Sequence, residues 1–440
     1  MDNFIDLIKE CGLVGAGGAG FPTHVKLSSH VEFVIVNAAE CEPLIRVDQQ
    51  ILKNYSSEFL EGFKAVVSNV KAKKGYIAIK SKHVAVIRQL KKEIAEYDNM
   101  EIFELEDFYP AGDEQITVYE VLKRVVPQGG IPLNVGCIVI NVETVLNVYN
   151  AIKNIPVVKT FVTITGDVPK PATYKLPVGI TYKEAINISG KNDLSSKVLI
   201  DGGPMMGKVV FDFNEPITKT TKAIIVLDKN HPHIRRRTMT IEQRLMQSKA
   251  ACLQCSRCTD LCPRYLLGHD VRPHIVMRVS NYGIKDFLGL KTAIGCSECG
   301  ICELYSFPSD LSPKKLNIEI KQGFAKAGIK IDYSGIKYEA SSIIDYRKVP
   351  VSRLIERLNL KKYDVDAPFT ENEYKPSRVT IRLNQHAGAP SIPVVAVGQT
   401  VLEGELIGRA DDKKLSANVH SSISGIVMEV NLKEIIIEAI

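Results

Sequence analysis

Long apolar runs are missing from this chain of 440 residues. No stretch of about eighteen uncharged apolar residues occurs, which excludes direct insertion as a membrane-spanning helix and leaves any membrane contact to a partner. Blocks of one charge are also missing. Basic and acidic residues are interspersed at a formal net charge of +6, and the only compact basic run, Arg235-Arg236-Arg237, reads as a solvated turn, so no nucleic-acid footprint is present. Outside one stretch, cysteine is scarce. Cys11, Cys41 and Cys137 are too scattered for a disulfide framework, and a reducing, cytoplasmic setting is expected. The opening MDNFIDLIKECG carries acidic residues and no apolar signal core. An apolar content of 45% is ample for packed cores, and the length predicts several domains.

The other seven of the ten cysteines fall within residues 251–309. ACLQCSRCTDLCPRYL places Cys252, Cys255, Cys258 and Cys262 in the C-x2-C-x2-C-x3-C-P run by which bacterial ferredoxins hold [4Fe–4S] clusters. GCSECGICELYSFPSD repeats its first three positions at Cys296, Cys299 and Cys302. Two-residue loops let successive thiolates wrap one corner of a cubane. Paired zinc knuckles are the competing reading, but three thiolates so tightly spaced do not suit a two-plus-two zinc site. An eighth cysteine is lacking: the spacing from Cys302 points to Ser306, and the residue before Pro308 is Phe307. In two-cluster ferredoxins the fourth cysteine serves the other cluster. On that rule Cys262 completes the cluster on Cys296, Cys299 and Cys302 and the first triplet is incomplete; without exchange the second is. The open iron could take Ser306, Ser309, water or a small thiol, so one robust and one labile cluster are expected.

Taken in order, the chain begins with apolar residues at helical spacing (Phe4, Ile5, Leu7, Ile8, Cys11) that lead into GLVGAGGAGFPTHVK, residues 12–26. Gly15, Gly17, Gly18 and Gly20 remove the Cβ atoms that would obstruct a phosphate or flavin ring, and Lys26 adds a positive charge. The alternative is a plain turn, since the strict dinucleotide fingerprint expects a preceding strand. Residues 31–36 (VEFVIV) read as a buried strand that delivers Asn37, Glu40, Cys41 and Glu42 at its carboxyl end, where open α/β sheets place ligands. Residues 75–80 read as another strand. Asp113 and Glu114, and then Asn141, Glu143 and Thr144, open predicted helices, where capping is the bland account. Residues 157–210 alternate β-rich runs with turns, closed by Gly202, Gly203, Pro204 and Gly207, and read as a structural bracket. Residues 223–228 form a strand ahead of the cysteine module, in which His231, His233, His269 and His274 read as surface or capping histidines. Residues 311–375 read as a charged, helical connector. The remainder alternates short strands and glycine turns in the pseudo-repeat of a barrel-sandwich hybrid; Lys414 lies where lipoyl domains carry their modified lysine, but its DDKKL flanks do not suit a ligase.

GAGGAGFPTHVK, VNAAECEP, FYPAGDEQ and INVET, in this order, resemble the flavin domain shared by the NADH-binding subunit of respiratory complex I and the RnfC component of Rnf complexes. With the cysteine module, the chain is similar along its length to the RnfC-like flavo-iron–sulfur family, which includes cobalamin reductases and proline-reductase-associated electron-transfer proteins. The resemblance implies a multidomain α/β chain: a Rossmann-like FMN/NADH domain (1–155), an SLBB β-grasp domain (156–215), a ferredoxin-like module (216–330), a connector (331–375) and a barrel-sandwich hybrid (376–440). It implies FMN held by Gly15, Gly17, Gly18, Gly20, Lys26, Asn37 and Asn141, with Glu40 beside it and Glu42, Asp113 and Glu114 near the nicotinamide nucleotide. Where relatives carry an aromatic after the lysine, this chain has Leu27-Ser28-Ser29.

The expected activity is electron transfer from NADH through FMN and two [4Fe–4S] clusters to a redox partner, either a protein-bound corrinoid or a reductase. The competing expectations are an NADH-independent electron wire between partner proteins and a redox-sensing scaffold.

Overall fold

The computed structural model describes residues 2–284, 286–305, 311–371 and 374–440. The first strand starts two residues later than the apolar run suggests. β1 (Phe33–Ala38) pairs in parallel with β2 (Lys74–Lys80), β2 with β3 (Met100–Leu105), and a two-residue strand, β4 (Phe108–Tyr109), then turns away. β5 (Cys137–Asn141) completes a parallel sheet of order β3-β2-β1-β5. Alternate residues of β1 feed different cores: Val34 and Val36 join Phe59, Phe63 and Val145, while Ile35 joins Ile116 and Val139. That explains the unbroken apolar run, since a parallel strand covered on both faces needs no polar alternation.

β6 (Lys159–Gly166), β7 (Ala172–Pro177), β8 (Lys197–Asp201), β9 (Lys208–Val210) and β10 (Ala223–Asp228) form a second sheet of order β7-β6-β10-β8-β9, in which only β6 and β10 run parallel. The strand expected to lead into the cysteine module is therefore central to this sheet, which continues past the expected boundary at residue 215. Its residues Ile224 and Val226 share a core with Val162 and Ile164, and that burial outweighs its nearness in sequence to the cysteines. The basic run is not a solvated turn. It lies on helix Pro232–Thr238, and Arg237 donates to the Pro204 carbonyl at 2.8 Å and to that of Gly207.

The cysteine module is helical. Ile241–Ala251, Pro273–Tyr282, Phe287–Lys291 and Pro313–Lys326 surround a small core of Val276, Met277, Ala293, Leu311 and Leu316, and the second of these helices stops at Gly283, whose φ is +62°. The connector is a strap rather than a helical rod. Beyond residue 330 its one described α-helix is Val351–Arg357, and β11 (Val349–Pro350) pairs antiparallel with β4. Arg46 binds Asp364 at 2.7 Å, and Phe369 packs edge-on against Tyr55 with ring centroids 5.7 Å apart.

The last 65 residues hold β12 (Arg378–Arg382), β13 (Ile392–Pro393), β14 (Thr400–Val401), β15 (Leu406–Arg409), β16 (Val419–His420), β17 (Gly425–Val430) and β18 (Glu434–Ala439), in sheets of order β12-β18-β17-β14 and β13-β15-β16. Their inner side chains, among them Ile381, Ile407 and Ile437, merge with the core of the second sheet. This module also seats on the glycine-rich segment. Buried Lys219 donates to the Gly12 and Asn418 carbonyls at 2.8 and 2.9 Å, and Ala387 N–H donates to the Gly20 carbonyl at 3.0 Å. Lys414 is an exposed turn residue paired with Asp411.

Gly12 has a φ of +66°, and a Cβ there would run into the Asn418 carbonyl. Gly12→Ala should combine left-handed strain with overpacking, a cost of roughly 2–5 kcal/mol. A lowered melting temperature and earlier proteolytic release of the C-terminal module are expected. Gly323→Ala, in a helix with open space at its Cβ, should neither lower the melting temperature nor hasten release.

Candidate functional site

The parallel register sets Asn37 beside Asn141 at the carboxyl edge of the first sheet. The segments that follow these strands enclose a cavity of about 390 Å³, a size suited to a small-molecule cofactor. It is walled by Gly15, Gly17, Gly20, Lys26, Asn37, Glu40, Glu42, Asp113, Glu114 and Asn141. Gly18 alone of the expected residues does not line it, although its φ of +110° and empty Cβ position leave that backbone unobstructed. Gly17 faces the cavity beside Asn141. Gly20 is required for another reason: its φ is +64° and a Cβ would stand 2.9 Å from His386 Cα, so it makes room for the C-terminal module.

Several wall residues are also structural. Asn141 caps helix Val142–Ile152 by accepting from Glu143 N–H at 3.0 Å, and donates to both Asp48 oxygens at 3.2 and 3.1 Å. Asp113 caps helix Glu114–Leu122 and receives both ends of the Arg264 guanidinium at 2.8 and 2.9 Å. Both Glu42 oxygens are taken by loop amides, Met205 and Met206, each at 2.9 Å. Glu114 pairs with Lys26 at 3.3 Å, and Lys26 also donates to the Val139 carbonyl at 2.7 Å. Asn37 donates to the Gly112 carbonyl at 2.8 Å.

The fold adds walls beyond the cofactor residues expected from sequence: Thr23, Asp48, Tyr109, Thr144, Met206, Lys222 and Cys299. Lys222 enters from the second sheet to pair with buried Glu143 and stands 3.9 Å from Asp48. Thr23 Oγ1, buried at the start of helix Thr23–Leu27, has no hydrogen-bond partner among the described residues. An orphaned hydroxyl, a bare glycine backbone and a nearby cation suit a phosphorylated cofactor such as FMN. Tyr109 ties this cavity to the cysteine module, its buried hydroxyl donating to the Cys299 carbonyl at 2.7 Å.

The two cysteine triplets share a backbone device. Gln254 and Ser256 in the first have φ of +55° and +62°, and Glu298 and Gly300, at the matching positions of the second, have +63° and +81°. These left-handed residues curl each loop inward. Cys252 Sγ accepts from Gln254 Nε2 at 3.2 Å and Cys296 Sγ from Glu298 N–H at 3.3 Å, the kind of contact that stabilises cluster thiolates. Burial raises Cys262, and the next contributions come from Cys299 and Cys296; burial pushes Cys258 up to about 12, followed by Cys252 and Cys255. The thiol charges that act on Cys262 are those of Cys299 and Cys296, as the exchanged arrangement expects. Burial, then the Glu303 charge, raises the Cys302 thiol, and Cys296, Cys299 and Cys258 add to it. No three His, Cys, Asp or Glu side chains among the described residues close on a single ion, whereas a cubane presents four separate irons. Ser306, Phe307 and Ser309 lie outside the described residues.

Glu40, at a φ of +37°, accepts from Asp48 N–H at 2.7 Å and Gln49 Nε2 at 3.1 Å. Burial, reinforced by the Asp48 charge, raises its carboxyl from 4.5 to about 7. Between those values the folded chain holds a proton that the unfolded chain has released, so this contribution to stability is lost as pH rises through 7. Relative to Glu40→Gln, the wild type should lose stability from pH 5 to pH 8, by at most about 1.4 kcal/mol per pH unit, in melting curves recorded across that range.

Residues 8–150 match the Nuo51 FMN-binding domain, residues 251–312 a 4Fe-4S dicluster domain, and residues 358–438 the RnfC barrel sandwich hybrid domain. The chain is 38% identical over 430 residues to cobalamin reductase PduS of Citrobacter freundii, covering 97% of this chain and 94% of that one. It is 37% identical to cobalamin reductase PduS of Salmonella typhimurium, covering 98% and 95%. A component of the Na(+)-translocating ferredoxin:NAD(+) oxidoreductase complex of Acetobacterium woodii is 31% identical, over 59% of this chain and 57% of that one. Among solved structures, an NAD+-reducing [NiFe]-hydrogenase in the H2-reduced state superposes with a TM-score of 0.50 at 19% identity, covering 75% of this chain and 63% of that one, a likeness of fold alone. With its FMN-binding and dicluster domains, the chain belongs to the cobalamin reductase PduS family and is a flavo-iron–sulfur electron-transfer oxidoreductase.

Proposed function

We propose that the chain draws electrons from NADH at the glycine-walled cavity and delivers them through its two clusters to a protein-bound corrinoid or a partner reductase in the cytoplasm. The observation that carries this reading is the shared wall: Cys299 and Tyr109 line the same cavity as Gly17 and Lys26. Bound FMN supplies the conversion between a two-electron donor and one-electron carriers. Gly15 and Gly17 admit it closely, Thr23 and Lys26 offer a donor and a charge to its phosphate or ring, and Asn37 and Asn141 border its other edge. Glu40, Glu42 and the Asp113–Glu114 pair shape the nucleotide side. In this reading Cys262, Cys296, Cys299 and Cys302 hold the cluster next to the cavity, and Cys252, Cys255 and Cys258 hold the outer one, with Cys255 exposed to solvent.

The finer fold labels belong to the same proposal. The order β3-β2-β1-β5 is that of a Rossmann-like half, and β7-β6-β10-β8-β9 around helix Tyr182–Ile188 is that of a β-grasp, here of SLBB type. The expected divisions at 155, 330 and 375 are kept, and the β-grasp is extended through β10.

A second reading, an electron wire that does not use NADH, has two observations in its favour. Leu27-Ser28-Ser29 replaces the expected aromatic, and Glu42 and Asp113 are already engaged by protein groups. Protein purified without oxygen should release FMN on heating. Lys26→Ala should weaken flavin retention roughly 10- to 100-fold, the loss of a charged hydrogen bond. Millimolar NADH should bleach the flavin; full FMN occupancy with no bleaching would select the wire, and FAD or no flavin would remove the cavity assignment altogether.

A further inference from the structure

Counting leaves the first triplet one ligand short. Cys252, Cys255 and Cys258 line one space whose walls do not include Cys262, and the exchanged assignment leaves them without a fourth cysteine. They line this small space of about 20 Å³ together with His274 and the apolar Met277 and Leu311. His274 is the second residue of helix Pro273–Tyr282, which places it on the wall of that space. Thr259 Oγ1, on the residue after Cys258, lies 2.7 Å from His274 Nδ1 and accepts from His274 N–H at 3.2 Å. Nδ1 is thus engaged by the Thr259 hydroxyl, which leaves Nε2, without a hydrogen bond among the described residues, as the ring nitrogen open to a ligand. A ring anchored through one nitrogen with the other left open is the usual preparation of a metal-ligating histidine.

We propose that His274 Nε2 is the fourth ligand of the cluster on Cys252, Cys255 and Cys258, an assignment that rests on the two-cluster reading above. The histidine read from sequence as a surface or capping residue then has a role. Imidazole is neutral where thiolate is charged, and histidine ligation raises the reduction potential of iron–sulfur centres. The outer cluster becomes the better electron acceptor of the two, and charge is drawn outward from the cavity. Ser306 and Ser309 are the competing donors, and both are oxygen ligands without a nitrogen signature.

The test uses the full chain, purified without oxygen after growth on 15N-histidine and on natural histidine, with iron analysis and pulsed electron paramagnetic resonance of the reduced clusters. Wild type should hold about eight irons and show an isotope-sensitive histidine nitrogen on one of two cluster signals. His274→Cys should keep both clusters, lose that coupling and lower the potential of the affected cluster. His274→Ala should lose the coupling and convert that cluster to a three-iron form. Two clusters without a coupled histidine nitrogen in wild type, or a coupling that persists in His274→Cys, would overturn the assignment. A wild type with only the cluster on Cys262, Cys296, Cys299 and Cys302 would overturn the two-cluster reading and this assignment with it.

Discussion

The loop 202–207 is held by buried charges on its backbone, and the rest of the molecule is arranged about that attachment. Glu42 from the parallel sheet takes the amides of Met205 and Met206; Arg237, Lys314 and His233 take the carbonyls of Pro204 and Met205. Gly203 must be glycine because Glu42 occupies the place of its side chain. A carboxylate from the flavin domain and a guanidinium and an ammonium from the cysteine module thus compensate one another through a single turn of the domain between them. Loss of any one leaves the others buried without their partner, a cost of about 3–5 kcal/mol in comparable pairs. The turn read as a mere bracket therefore sets Met206 on the cavity and Met205 against Gly300 of the second triplet.

The distribution of charge follows from the same burial. Glu42 and Asp48 are shifted toward the protonated form by desolvation, opposed by the amides and cations that meet them, and buried Tyr109 is held far from ionisation. Cys299 is pushed up to about 12 by burial, against the pull of the Ile301 amide. Such a site discourages free thiolate and favours sulfur whose charge is taken up by iron.

What could be read from the sequence was what depends on local spacing. The cysteine triplets, the glycine segment and the apolar run of β1 each carry their meaning within a few residues, and the cavity gathers nearly all of the expected wall. What could not be read depends on distant partners. β10 looks like a linker strand until Ile224 and Val226 find the core of β6, and Arg237 looks solvated until loop 202–207 covers it. Tyr109 and Thr23 lie within quoted motifs but had no role assigned there, and Lys222 lies in none; a buried hydroxyl, an orphaned one and a lysine at a strand's entrance become meaningful only when the modules close. Asp113 and Asn141 were legible twice, as caps and as cavity wall, and the structure uses both.

The pairing of β4 with β11 has a consequence in time as well as in space. Tyr109 sits on a two-residue strand whose neighbour is residues 349–350, beyond the whole cysteine module. In the order of synthesis, all seven motif cysteines leave the ribosome before that neighbour exists. The floor of the flavin cavity is thus among the last parts of the protein to acquire its support, and a nascent chain can present its thiols to iron while the cavity is still unbraced.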